Sequence, residues 1–325
     1  MWIKGFTYGW MAKRGAYRTE KAINSQDKLF DLGLNWICLA FPVMQRSFSS
    51  TDIFYDYKST ITDKDLIFVI NRAHEHGIKV CLKPVINCED GMWRAHIDFP
   101  DEDMRGRDIY WNEWFESYGA FLCHYAELAQ DIGCEMLCIG CEMSGTERKE
   151  EHWRGLIKSV RDIYEGPLVY NTNHGRENKV NWFDALDYIG ISAYYRVGKK
   201  PSDSKENMLK AWGNINTEME SISMKFNKQI IFMEIGCRSA EGCAMTPWDF
   251  VHQEFPWNEE EQAAFYESCL EAFHDKEWFA GFFWWDWSIE IYKTREEAME
   301  DKGFNIHLKK AEEVIKKWYK KDRSI

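Results

Sequence analysis

No stretch of this 325-residue chain is apolar for the ~20 residues that a bilayer span requires, so no membrane helix and no membrane partner are expected. Basic residues are in the minority, with 41 Lys and Arg against 53 Asp and Glu and a formal net charge of -12. Such a surface repels a phosphate backbone, which argues against nucleic acid as a partner. The opening segment MWIKGFTYGW reads as a strand and lacks the basic start, apolar run and small-residue cleavage site of a leader. A cytoplasmic location is therefore expected, although a processed secreted chain would look the same. There is no linker, low-complexity segment or charge block to mark a domain boundary, so residues 1–325 are read as one domain. The oligomeric state is left open.

The ten cysteines are scattered through strand-like and helix-like segments. A chain long enough to build a large core needs no disulfides, and reduced thiols are expected. Cys138 and Cys141 form a C-x-x-C pair, but residues three apart on a strand point to opposite faces. No second close pair completes a four-thiolate zinc site. Neither a metal nor another cofactor is called for. A Gly-rich loop of the kind that cradles phosphate is also missing after the last two strands.

What is present is an alternation of short apolar strands with amphipathic helices. Strands are expected at Ile3–Gly9, Leu34–Phe41, Ile78–Ile86, Glu135–Gly140, Leu168–Asn173, Tyr188–Ala193, Gln229–Glu234 and Phe279–Trp285. Each is a nearly continuous apolar run, as in a parallel sheet covered on both faces. The clearest helix runs from Tyr110 to Ile132, with Trp114, Phe115, Tyr118, Phe121, Leu122 and Tyr125 at three- and four-residue spacing. A second carries Trp153, Leu156, Ile157 and Val160, a last one Ala311, Ile315 and Trp318, and a short one is expected near Lys179–Phe183. Trp111, Trp114 and Trp153 read as core. Eight such strands predict a single closed (β/α)8 TIM barrel, an open doubly wound sheet being the alternative.

In such barrels the active site lies where the strands end. The fourth strand runs into Glu142 and the seventh ends on Glu234; Tyr194 and Tyr195 follow the sixth, and Trp284, Trp285 and Asp286 close the eighth. Two carboxyls facing one bond are what glycoside hydrolysis requires, one protonated in apolar or like-charged surroundings and one ionised. A content of 16% aromatic residues, with 16 Trp, suits a sugar ligand, although such residues also fill cores. His74, Glu75 and His76 read as a solvated helix end, His174 as either a substrate contact or a loop residue, and Asp286 as either a cleft or a surface carboxylate.

The ordered set Leu82-Lys83-Pro84, Asp90-Gly91-Met92-Trp93-Arg94, Trp114-Phe115-Glu116-Ser117-Tyr118, Ile139-Gly140-Cys141-Glu142, Met233-Glu234-Ile235-Gly236-Cys237-Arg238-Ser239 and Trp284-Trp285 resembles glycoside hydrolase family 113, the β-mannanases. The resemblance implies a retaining hydrolase of β-1,4-mannosidic bonds in β-mannan or mannooligosaccharides. It assigns Glu142 as acid/base, Glu234 as nucleophile and Tyr194 as its hydrogen-bond partner, with Tyr195 as the alternative. Trp285 becomes the floor of the sugar pocket, with Trp284 as the alternative, and Lys83, Trp93, Arg94, Asn173 and Arg238 line the cleft. Three positions depart from the expected pattern: Cys141 where Asn or Thr is usual, Cys237 in place of Tyr, and Val85 in place of His. Thiols are weak hydrogen-bond partners. These changes, with the lack of a visible leader, motivate a second reading, an exo-acting β-mannosidase or other β-glycosidase; a third reading, of a different class, is a non-catalytic sugar-binding barrel.

Overall fold

The computed structural model describes residues 2–323. The chain forms two compact units, one of Met1–Trp10, Thr19–Ile37 and Ser192–Ile325, the other of Met11–Arg18 and Cys38–Ile191.

The second unit holds strands β2 (Trp36–Gln45, whose first two residues belong to the first unit), β3 (Ile53–Phe54), β4 (Lys79–Cys88), β5 (Met136–Cys141), β6 (Leu168–Asn173) and β7 (Tyr188–Ser192, whose last residue belongs to the first unit). Their order in the sheet is β7-β6-β5-β4-β2-β3. β4, β5 and β6 pair in parallel, and the two-residue β3 runs antiparallel, against Met44 and Gln45 of β2. β3 is too short to show as an alternation in sequence. It shifts the strand count by one, so the fourth expected strand is β5 and the seventh is β8.

Helices α2 (Asp63–Glu75), α3 (Ile109–Ile132) and α4 (Glu150–Arg161) connect these strands. The Thr62 hydroxyl caps α2 by accepting from Asp65 N at 3.2 Å. α3 stops at Gly133, whose left-handed φ of 72° lets its N–H reach back to the last turn. Trp111, Trp114 and Trp153 are fully buried, as expected of core residues. Trp114 stacks on Tyr118 and donates to Gln45, while the Tyr118 hydroxyl bonds Ile139 O of β5 at 2.7 Å. The helical face is thereby keyed to the strand that carries Glu142. Between β6 and β7 the expected short helix is replaced by two single 3-10 turns, Glu177–Lys179 and Phe183–Ala185.

The first unit holds β1 (Ile3–Tyr8), α1 (Glu20–Phe30), α5 (Lys205–Phe226), β8 (Gln229–Ile235), α6 (Glu259–Phe273), β9 (Phe279–Trp287), α7 (Arg295–Glu300) and α8 (Lys310–Tyr319). β1 pairs with β9 and β9 with β8, all parallel. Phe279, Phe282, Phe283 and Trp284 are fully buried, so β9 is apolar until its last residues. Among the described residues no helix is long and apolar enough to cross a membrane. All ten cysteines are free thiols.

Candidate active site

In the second unit the chain leaves β5 through Glu142, which has a φ of 56°. A non-glycine residue in the left-handed region is uncommon and costs of order 1–3 kcal/mol. The turn is held by Glu142 N donating to Asn171 O at 2.7 Å. Two residues earlier the space is tight, since a Cβ on Gly140 would meet the side chains of Met143 and Tyr170 at 2.8 Å and force them to move. The Glu142 side chain is nearly buried, yet its Oε2 accepts from Arg94 Nη1 at 2.8 Å and from Trp93 Nε1 at 3.2 Å. Arg94 is itself anchored, donating to Ile86 O at 2.8 Å and Asn87 Oδ1 at 2.9 Å. Asn173 Nδ2 reaches Ser144 Oγ at 3.0 Å and Glu142 O at 3.4 Å, so it braces the loop that carries the carboxylate.

Behind that loop lies Glu147, a buried carboxylate that sequence reasoning passed over. It accepts from Thr172 Oγ1 at 2.7 Å, Arg176 at 3.0 Å and Tyr170 Oη at 3.2 Å. Burial raises its pKa, and these donors oppose the rise. Its sequence signal is faint, because the partners lie on β6 and in the turn that follows.

In the first unit Glu234 belongs to β8 and is 7% exposed. The Tyr194 hydroxyl donates to Glu234 Oε2 at 3.3 Å, and Ala193 N donates to Glu234 O at 2.7 Å. Tyr195 points elsewhere: its hydroxyl faces Met219 Sδ at 3.6 Å and its ring lies beside Trp212 and Phe232. Successive residues of extended chain face opposite ways, which separates the two tyrosines. The same rule separates the tryptophans. Trp284 is buried against Tyr266, ring centroids 4.2 Å apart, whereas Trp285 is half-buried and lies 5.4 Å from the ring of Trp10. Gly236 is forced, because a Cβ there would lie 2.4 Å from Trp285 O.

Asp286, left undecided by sequence, is a half-buried carboxyl near Glu234. Burial, then the charges of Asp301 and Glu234, push its pKa up to about 7. Asp301 is fixed by Lys309 Nζ at 2.9 Å, by the Tyr292 hydroxyl and by Gly303 N at 3.1 Å.

Arg238 and Lys83, expected along the cleft, are both buried. Arg238 pairs with Asp249 at 2.5 Å and also bonds His252 O, so its guanidinium is committed to the loop after β8. Lys83 is inaccessible within β4. Cys141 Sγ accepts from Asn171 Nδ2 at 3.3 Å, and the Cys138 thiol turns to Gly140 O at 3.3 Å, so the two sulfurs have separate neighbours. Cys237 and Cys243 are buried with their sulfurs 3.2 Å apart. His74 faces Glu135 at 3.3 Å at the end of α2, and His174 is half-buried after β6.

Buried glutamates closing two parallel strands, one with a phenol donor and the other with a guanidinium and an indole, are the parts of a barrel glycoside hydrolase. Residues 6–309 match Glycoside Hydrolase Family 113. The chain belongs to that family, and it is a glycoside hydrolase with a carbohydrate substrate. A solved GH113 β-1,4-mannanase in complex form is 35% identical, with 99% of each chain covered and a TM-score of 0.89. The GH113 β-mannanase of Alicyclobacillus acidocaldarius, in complex with ManMIm, is 37% identical over 98% of this chain and 97% of that one, with a TM-score of 0.89. These full-length likenesses establish the fold as a single (β/α)8 barrel. A β-glucuronidase of Ruminococcus gnavus shares only the fold, at 11% identity and a TM-score of 0.64 over 99% of this chain and 50% of that one. Comparison with curated sequences gave no match.

Proposed function

We propose that the chain is one catalytic domain in which Glu142 and Glu234 act on the same β-1,4-mannosidic bond by double displacement. Glu234 attacks the anomeric carbon while Glu142 protonates the leaving oxygen. Water then releases the sugar from Glu234, with Glu142 taking the water's proton. Tyr194 orients the nucleophile and favours its ionised form through their hydrogen bond. Trp285, the partly exposed one of the two tryptophans, is the sugar platform, and Trp93, Arg94 and Asn173 set the acid/base.

The observation that carries this reading is the Tyr194–Glu234 hydrogen bond at 3.3 Å, in a chain 35–37% identical to β-mannanases over nearly its whole length. The decisive assay is release of reducing ends from mannohexaose and from maltohexaose. Cleavage of the first alone is expected; cleavage of neither, with β-glucosides also untouched, contradicts the assignment.

A second reading, exo action on short mannosides, is favoured by Cys141. Its thiol is taken up by Asn171, so the position offers the sugar no good hydrogen bond. Comparing polymer with mannobiose and mannotriose separates the two. The free, buried thiols, including a pair at 3.2 Å, support a reducing compartment such as the cytoplasm.

A further inference from the structure

Glu142 sits in a left-handed backbone conformation that a glutamate does not favour, so the surrounding structure must impose it. The five residues that follow show how. Thr146 closes a turn on Met143 O, donating from its N at 2.9 Å and from its hydroxyl at 2.8 Å. Gly145 N donates to Ala95 O at 3.1 Å, and a Cβ at Gly145 would lie 2.1 Å from Ile97 O. The loop is thus pressed against the segment that follows Trp93 and Arg94. The indole N–H groups of Trp153 and Trp182 hold Thr146 O and Glu147 O, both at 3.1 Å. At its far end the Glu147 side chain is fully buried.

This loop grips β6 from both faces. Tyr170 and Thr172, two apart on the strand, point one way, and their hydroxyls donate to Glu147 Oε1 at 3.2 and 2.7 Å. Asn171 and Asn173 point the other way. Asn171 Nδ2 reaches Cys141 Sγ at 3.3 Å, and Asn173 Nδ2 reaches Ser144 Oγ at 3.0 Å and Glu142 O at 3.4 Å. Arg176 joins the two ends. Its Nε and Nη2 donate to Glu147 Oε2 at 3.2 and 3.0 Å, and the same Nη2 donates to Ser144 O at 3.1 Å. One guanidinium therefore ties the buried carboxylate to the backbone two residues past Glu142. A carboxylate suits this position because both of its oxygens accept, whereas an amide turns one acceptor into a donor.

We propose that Glu147 is a positioning residue for the reaction: through Arg176 and Ser144 it fixes the strained turn that aims the Glu142 carboxyl at the leaving oxygen. Glu147 itself is too deep to touch substrate. The proposal rests on the reading of Glu142 as acid/base and adds the group that sets its position. An acid displaced by about 1 Å costs on the order of 10²-fold in rate where a proton must reach the leaving group. A leaving group that departs without a proton is spared. A role confined to folding cannot make that distinction, since a lower folded fraction scales down turnover of every substrate alike.

The test compares mannohexaose with an aryl β-mannoside that has a good leaving group, in wild type, Glu142→Gln, Glu147→Gln and Arg176→Met. The readout is kcat/KM, which reports the step that forms the glycosyl intermediate. Glu147→Gln should lower it about 10–100-fold on mannohexaose and less than about threefold on the aryl mannoside. Arg176→Met breaks the same link at a side chain that is 39% exposed, so it leaves the core intact even where Glu147→Gln does not fold. It should show the same pattern at about 3–10-fold, the scale of a lost hydrogen bond. Equal losses on the two substrates in both variants, or no loss in either, overturn the proposal. If Glu142→Gln itself does not discriminate between the substrates, the acid assignment falls and the role of Glu147 with it. Discrimination by Glu142→Gln alone removes only Glu147.

Discussion

Glu142 and Glu234 are chemically identical side chains in opposite surroundings. Glu142 faces a guanidinium and an indole N–H, while Glu234 faces a phenol and has the carboxyl of Asp286 nearby. An acid that holds its proton near neutral pH calls for apolar or like-charged surroundings. The structure gathers like charge in the first unit, beside the proposed nucleophile, and puts a cation on the proposed acid. Protein context rather than residue type therefore assigns roles, and it does so here through groups that differ in how they hold the carboxylate. Arg94 and Trp93 fix Glu142 in place through donors anchored on the end of β4. Tyr194 steadies Glu234 while Asp286 takes up the repulsion by holding a proton. Below about pH 7 this carboxyl is mostly protonated and adds no further charge beside Glu234.

The sharpest way to break this contrast is to delete one carboxylate at a time. Glu234→Ala should lower turnover by about 10⁴-fold or more, since no group remains to form the covalent intermediate. Azide with an activated aryl β-mannoside should restore turnover and yield an α-glycosyl azide. Recovery of free mannose alone would remove Glu234 from the nucleophile role. Glu142→Gln should cost about 10²–10⁴-fold on mannooligosaccharides and much less on aryl mannosides with good leaving groups, which need little protonation. Equal losses on both substrates, with glycosylation rate-limiting, would contradict its role as acid.

The tyrosine pair sharpens the comparison. Tyr194→Phe should reduce kcat about 10–100-fold, the scale of a hydrogen bond to a charged group, with little change in melting temperature. Tyr195→Phe, whose hydroxyl faces Met219 rather than Glu234, should leave kcat unchanged. Equal effects from the two would dissolve the distinction.

The smallest effect concerns Asp286. Its carboxyl titrates at about 7 in the folded chain against an ordinary 3.8, so the folded state binds the extra proton between those values. Stability then falls as pH rises from about 4 to about 7 and stays lowered above that. Asp286→Asn cannot ionise, so its melting temperature should exceed that of wild type increasingly across this window and match it below about pH 4. A difference independent of pH would mean that Asp286 is not buried among the charges proposed.

Which of these residues could be read from sequence follows from geometry. The strands show as apolar runs because parallel strands are covered on both faces, and Glu142 and Glu234 stand out as the first charges where β5 and β8 end. Tyr194 against Tyr195 and Trp285 against Trp284 depend on a one-residue alternation that an apolar run does not reveal. The reach of Trp93 and Arg94 to Glu142 passes through a loop after β4, where no periodicity operates. The resemblance alone places Arg238 along the cleft; its pairing with Asp249, eleven residues on in an irregular loop, leaves no periodic signal in the sequence. The short helix expected near Lys179 gave way to two turns, since five residues cannot sustain a helix without packing to stabilise it.

Proton NMR of the first sugar released from a β-linked mannooligosaccharide tests the central claim most directly. Attack by Glu234 followed by water inverts the anomeric centre twice, so the account predicts the β-anomer first, with the α-anomer appearing only as mutarotation proceeds. An α-anomer as the initial product would contradict a covalent intermediate on Glu234.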